Sequence, residues 1–263
     1  MSKKFTDLLT VAWGVVQDAV HRKVFYAVLA FTVILIFLVP MLPSAEVGVQ
    51  LDLAREASLG LVSIMAFILA TVMGSNILSG EMRKRTIYNT LSRPVSRKGY
   101  FIGKYLGILA VLAVSLIVAY LVILALVGVK FGVFSPGLVK AVFAIFLEAA
   151  VLAAVAMLAS VHLSPVVCIL ITGLFYVVCH VKGDFLYRTM TDSGHPAVLR
   201  GMAGLAYYLL PNLERLNINE TVAHGERVFR VGAVEFLLLL GLAATFVVIF
   251  LVLGAFILER KDL

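Results

Sequence analysis

One acidic side chain, Glu148, lies deep inside an apolar run that is long enough to cross a membrane. Ala and Leu surround it on both sides, so its carboxyl group must face the interior of a helix bundle or stay neutral. It could form a polar contact in a substrate path. Alternatively, a protonated or hydrogen-bonded carboxyl could hold two helices together, and we favour this second interpretation.

The other residues that could do chemistry do not form a recognisable site. Cys168 and Cys179 share one apolar run with His180, but on a helix the two thiols would lie about 16 Å apart, too far to bind one ion. Cys179 and His180 would point about 100° apart. We therefore expect no metal site and no cofactor, and we interpret His162, His195 and His224 as ordinary surface or loop histidines.

Catalytic motifs are missing from the full sequence. No Gly-x-x-x-x-Gly-Lys-Ser/Thr motif occurs, and the only Gly-Lys pair, Gly103-Lys104, is followed by Tyr105. Neither Gly-x-Ser-x-Gly, His-Glu-x-x-His nor Cys-x-x-Cys is present. The sequence does not predict an enzyme, and ATP-driven work would need an ATPase in another chain.

The overall composition predicts the class of protein and the kind of segment that carries these residues. Of the 263 residues, 62% are hydrophobic and 14% charged, and the mean hydropathy is +1.06. Soluble domains contain about 25% charged residues, so this composition indicates an all-α, polytopic membrane protein. The net charge of +7 sits at the ends of apolar runs and forms no separate basic domain, which argues against nucleic-acid binding.

Hydropathy predicts six membrane spans within a single transmembrane domain, 1–263. Thirteen of the 22 Lys and Arg residues lie in the N-terminal segment, the loop between the second and third spans, and the tail. This asymmetry predicts that both termini are cytoplasmic. The fourth and fifth spans are separated by a few residues, so they should be antiparallel neighbours. The predicted spans are 24–42, 57–79, 101–128, 138–161, 165–181 and 233–258.

Two segments outside the spans have helical patterns of their own. Residues 1–23 place apolar side chains at helical spacing, which predicts an amphipathic elbow helix in the cytoplasmic interface with Trp13 at headgroup depth. The outer loop, 182–232, contains the apolar run Ala197–Pro211. This run is shorter than a span and predicts an interfacial or re-entrant helix.

The loop 80–98 combines high positive charge with a short apolar pattern. Ile87, Tyr88 and Leu91 would share one face of a short helix, with basic residues on its other side. Pro94 should end that helix, and Ser96 should cap the next one. In that next helix Gly99, Gly103 and Gly107 form a stripe without side chains, where another helix can approach closely.

The same loop resembles the first cytoplasmic loop of type-two ABC transporter permeases. The resemblance is carried by Gly80-Glu81, Lys84-Arg85-Thr86-Ile87, Leu91-Ser92, Pro94-Val95-Ser96-Arg97 and Gly103-Lys104, and it is strongest to the permease group associated with maturation of multicopper enzymes. It implies that the loop is a coupling surface for a separate ATPase subunit. The residues it assigns to ATPase coupling are Glu81, Arg83, Lys84, Arg85, Ile87, Tyr88, Leu91, Pro94 and Arg97.

The resemblance also implies the assembly and its location. A permease of this kind would sit in the bacterial cytoplasmic membrane, pair with a second copy or a similar permease, and bind two cytoplasmic ATPases. The sequence does not indicate its substrate. The alternative, an ion-coupled carrier or channel, would need several charges inside the membrane, and apart from Glu148 the deep spans offer little.

Overall fold

The computed structural model of the protein describes residues 2–21, 28, 30–35, 47–83, 96–132, 137–192, 194, 196–216 and 233–260. Helices and short connections make up these residues, without a β-strand among them, which confirms the all-α class. A π-helical turn, Lys182–Leu186, and a 3-10 turn, Glu214–Leu216, lie between the later helices. The α-helices are α1 Ser2–His21, α2 Val47–Arg83, α3 Arg97–Phe131, α4 Gly137–Ala159, α5 Pro165–Val181, α6 Tyr187–Thr191, α7 Ala197–Leu209 and α8 Ala233–Arg260.

Four helices in the described part of the chain are long and apolar enough to cross a membrane: Leu51–Gly80 within α2, all of α3, Leu138–Ala159 within α4, and Phe236–Arg260 within α8. They correspond to four of the six predicted spans. The fifth predicted span is α5, whose 17 residues reach about 25 Å, less than the roughly 30 Å of a bilayer core. The first predicted span lies mostly outside the described residues, so a total of six stays a prediction.

The start of α3 agrees with the capping signal in the sequence, whereas the start of α2 differs from the prediction. Ser96 caps α3 as predicted, because its hydroxyl oxygen accepts a hydrogen bond of 3.1 Å from the amide of Gly99. At the other end Gly132 adopts a left-handed conformation with a φ of 65°. By contrast, α2 begins at Val47, well before the predicted start at residue 57. Its early turns carry charged residues, and Asp52 and Arg55 form a 3.6 Å ion pair one turn apart.

Helix α4 is the centre of the bundle and packs against α2, α3, α5 and α8. Its inner surface is rich in alanine, and Ala153 and Ala156 are fully buried. Gly74 of α2 lies so close that an added Cβ would be 2.7 Å from the Cβ of Ala156. Tyr105 of α3 donates a 3.0 Å hydrogen bond to the carbonyl of Ala150. Small residues are needed here because, in lipid, helices associate through close packing and hydrogen bonds.

The segment after α5 turns into short helices, as the pattern of its apolar residues predicts. The π-helical turn leads into α6, which packs against α7, and the rings of Tyr187 and Tyr207 are 5.9 Å apart between their centroids. The predicted helix in Ala197–Pro211 is α7, which ends at Leu209. Its placement at the outer leaflet stays a prediction.

The close contact between α2 and α4 predicts a position-dependent effect of adding one methyl group. Gly74→Ala should lower the melting temperature of the purified protein, because overpacking costs about 1–3 kcal/mol and outweighs the roughly 1 kcal/mol gained in helix propensity. Gly60→Ala, in the same helix, is the matched control, since no described atom lies within 4 Å of its added Cβ. A melting temperature for Gly74→Ala at or above that of Gly60→Ala would contradict this packing.

Candidate functional site

The basic loop connects two helices that pack against each other, α2 and α3. Glu81 and Arg83 belong to the last turn of α2, and Arg97 is the first residue of α3. Segment 84–95 itself lies outside the described residues. The predicted coupling residues in that segment are Lys84, Arg85, Ile87, Tyr88, Leu91 and Pro94.

The start of α3 meets the end of α8. Arg97 donates a hydrogen bond of 3.3 Å from Nη1 to the main-chain carbonyl of Glu259, and Nζ of Lys98 lies 3.0 Å from Oε2 of the same residue. Carbonyls in the last turn of a helix lack partners within the helix, and cations favour that end of the helix dipole. The Glu259 carboxylate in turn lies near the positive end of α3. The contacts therefore suit both helix ends and place the end of α8 beside the start of α3.

Helix α1 lies along α3 at the predicted glycine stripe. An added Cβ at Gly103 would be 3.0 Å from the Cβ of Val11, and one at Gly107 would be 2.5 Å from the Cβ of Val15. The contact advances by four residues on both helices, so α1 and α3 run side by side in the same direction over this stretch. Gly99 has a different role, because its amide donates to the cap residue Ser96.

The outer side of α1 carries the aromatic residue that the sequence placed at headgroup depth. Trp13 is 62% exposed on the face turned away from α3. That exposure is compatible with contact to lipid headgroups, but the contacts of α1 with α3 do not fix its orientation to a membrane. The interfacial elbow therefore stays a prediction.

Glu148 lies in the middle of α4 and is 6% exposed. It lines a crevice between α2 and α4 that is too narrow to hold a water molecule. The other lining residues are mostly apolar, and Ser63 is the polar one among them. A carboxyl group in such surroundings must be neutral or must face a group of opposite charge.

His180 of α5 is the group that Glu148 faces. Its Nε2 lies 3.3 Å from Oε1 of Glu148, and its Nδ1 lies 3.1 Å from the carbonyl oxygen of Tyr176. A carbonyl oxygen can only accept, so Nδ1 must carry a proton in this arrangement. Nε2 lacks hydrogen-bond geometry to any described atom, and the Glu148 contact is therefore a close approach without a well-aligned bond. One further proton is available to the two groups. On Glu148 it gives a neutral pair, and on Nε2 of His180 it gives an ion pair.

A stack of aromatic rings extends from the histidine towards α2. The ring of Tyr176 packs on His180 with 4.2 Å between centroids, and Phe67 of α2 packs on Tyr176 at 4.8 Å. The cluster therefore links α2, α4 and α5. Chemically it can hold helices together or hold a proton. In the described part of the chain, three His, Cys, Asp or Glu side chains do not come together as metal ligands, and Cys168 and Cys179 are buried free thiols.

The predicted site residues fall into two separate places. Of the described residues, Glu81 and Arg83 lie at the end of α2, and Arg97 and the glycine stripe lie in the first turns of α3. Glu148 lies in the interior with His180.

The contacts of His180 with Glu148 and of Glu259 with α3 were not predicted from the sequence. Hydropathy placed His180 on the fifth span, but it gave no signal for the rotation that turns this side chain towards α4. Likewise, no pattern in the sequence indicated that Glu259 contacts α3.

Comparison with known proteins identified one family. A family model described as ABC-2 family transporter protein matches residues 9–263 of the chain. The match begins within α1 and extends over all the later helices and the basic loop. The comparison with curated proteins found no match.

The Glu148–His180 contact predicts different results for two substitutions of the acid. Glu148→Leu leaves Nε2 of His180 buried without a polar neighbour, so it should lower the free energy of unfolding by about 1–2 kcal/mol. Glu148→Gln should melt close to the wild type, since its amide can donate to that nitrogen. Thermal unfolding in detergent measures both. Equal melting of the Gln and Leu variants would show that the polar contact does not link the helices.

Proposed function

The chain belongs to the ABC-2 transporter family, and we propose that it is the permease subunit of a transporter that uses ATP hydrolysed by a separate ATPase chain. The family and the apolar helices make it a multi-pass membrane protein and a transport subunit. The sequence contains no P-loop, which supports the proposal that a separate chain supplies the ATPase. The match to the family over residues 9–263 is the observation that carries this proposal.

We propose that the basic loop is the surface that binds the ATPase. Its apolar side chains, Ile87, Tyr88 and Leu91, would enter a groove on the ATPase, and its basic residues would steer the approach. Two features of the described residues support this assignment. The loop joins the adjacent helices α2 and α3, and the start of α3 is attached to α8. A push on the loop would therefore act directly on membrane-spanning helices.

The proposed mechanism is a rigid-body tilt. Closure of two ATPases would push on the loop, tilt α2 and α3, and open a path between this chain and a second permease, which is either a copy or a similar protein. Large parts of α5 and α8 expose apolar side chains to the surroundings, which suits contact with lipid or with that second permease. We place the protein in a bacterial cytoplasmic membrane with both termini cytoplasmic, and its substrate is unassigned.

Within the family, we propose membership of the permease group associated with maturation of multicopper enzymes. The resemblance of the strings between Gly80 and Lys104 supports it. The family match itself does not distinguish this group. Analysis of metals and lipids that copurify with the complex would test the assignment.

The alternative, an ion-coupled carrier, is less well supported by the distribution of charge. The buried charged residues among the described part of the chain are Arg55, Lys104, Glu148 and Lys182. Lys104 and Lys182 lie near the ends of apolar helices, and Arg55 lies in an early turn of α2. Glu148 is the one in mid-span, and we propose that it is a link between helices. A P-loop ATPase encoded in an adjacent reading frame would favour the ABC transporter.

The coupling assignment predicts that the apolar face of the loop is required for binding of the ATPase. Tyr88→Ala combined with Leu91→Ala should leave the permease folded and inserted but abolish copurification, because truncating a buried anchor costs about 2 kcal/mol or more. Arg83→Ala should only weaken copurification, and more so at high salt, as expected for a charge that steers association. A double variant that retains the ATPase at the wild-type yield would show that the loop is a topology signal only.

The distribution of Lys and Arg predicts opposite sides for two loops. Single cysteines introduced at Arg85 and at Asn217 should differ in intact cells, with the cysteine at 217 labelled by a membrane-impermeant thiol reagent and the one at 85 protected. Labelling after membrane disruption provides the control for reactivity. Labelling of both positions in intact cells would overturn the proposed orientation.

A further inference from the structure

Glu259, in the last turn of α8, is held by two consecutive residues of α3. Arg97 contacts its main-chain oxygen and Lys98 its carboxylate, at 3.3 Å and 3.0 Å. Because one contact is to the backbone and the other to the side chain, together they restrain both the distance and the rotation of the end of α8. These residues are more than 150 positions apart in the sequence.

One turn further along, α3 and α8 meet again through an apolar contact. Phe101 of α3 is fully buried, and its ring fills the space that a Cβ on Gly254 of α8 would occupy. The contacts move forward along α3, from residue 97 to 101, and backward along α8, from 259 to 254. The two helix ends are therefore antiparallel and in direct contact over more than one turn.

Helix α1 occupies the opposite side of α3. Phe101 faces α8 and Gly103 faces α1, and two residues apart on a helix means about 200° around it. The start of α3 is thus held between α1 and α8. In the chain, segment 84–95 connects α2 to α3.

We infer that Glu259 transmits the movement of the coupling loop into α8, so that the last span moves together with the start of α3. This inference rests on the proposed function, because it assumes that an ATPase acts on the loop. Glu259 would be a positioning residue, acting through Arg97 and Lys98. The Lys98 and Glu259 side chains are 58% and 50% exposed, and an exposed ion pair contributes little to stability. Its role should therefore appear in coupling and not in melting temperature.

Charge reversal tests this role. In proteoliposomes with the partner ATPase, Glu259→Lys and Lys98→Glu should each lower the permease-dependent rate of ATP hydrolysis about threefold, an effect of the size that an exposed ion pair supports. The double variant, with the charges exchanged, should recover most of the rate, and none of the three should change the melting temperature. Arg260→Glu is the matched control, because that side chain stacks on Phe256 of its own helix. Wild-type rates in both single variants would overturn the inference.

A cross-link tests whether the two helix ends move together. Cysteines at positions 98 and 259 should be joined by a short bismaleimide, while Cys168 and Cys179 are buried and should react little. The cross-linked complex should hydrolyse ATP faster than the same double-cysteine variant without cross-linker, and the single-cysteine variants treated in parallel should not change. Loss of hydrolysis on cross-linking would show that the helix ends must separate and would overturn the inference.

The inference and the proposed function fail in different ways. A wild-type permease that neither binds nor stimulates any ATPase overturns the proposed function. If the wild-type permease stimulates ATP hydrolysis and the rate does not depend on the charge at position 259, only the role of Glu259 is overturned.

Discussion

The architecture depends on how closely helix backbones can approach each other where there is little hydrophobic force between them. In lipid, apolar side chains gain little by leaving their surroundings, so helices associate where small residues permit close packing. Gly74 against α4, Gly107 against α1 and Gly254 against α3 are such places. The alanine-rich face of α4 provides the common surface, and for this reason α2, α3, α5 and α8 all gather around that helix.

Helix α3 combines this packing with a position at the end of the basic loop. Its first two turns contact α8 through Arg97, Lys98 and Phe101, and α1 through Gly103. Deeper in the bundle the hydroxyl of Tyr105 binds the backbone of α4. A displacement of the loop would therefore reach several helices at once, and the exposed polar contacts at the loop end are the ones that can change at the smallest cost in stability.

The buried polar pair, Glu148 and His180, differs from these exposed contacts in what its loss would cost in stability. Glu148 lines a crevice too narrow for water, so its carboxyl group would be costly to bury without a polar partner, and His180 lies 3.3 Å away. They join α4 to α5, two helices that the short turn 160–164 already makes antiparallel neighbours. The stack of Phe67, Tyr176 and His180 extends the link to α2.

Local properties of the sequence determined much of this protein. Hydropathy gave the membrane class and the positions of α4, α5 and α8, because burial in lipid depends on the composition of each segment alone. Capping chemistry placed the start of α3 at Ser96, and the cost of a buried charge singled out Glu148. The early start of α2 was missed, since hydropathy marks the edge of the lipid and not the end of the helix. Only the tertiary structure decided that Glu148 faces His180, that Glu259 meets Lys98, and that α1 runs in the direction of α3. These pairings depend on how each helix is rotated and shifted against its neighbours, and that is fixed by packing between residues far apart in the sequence.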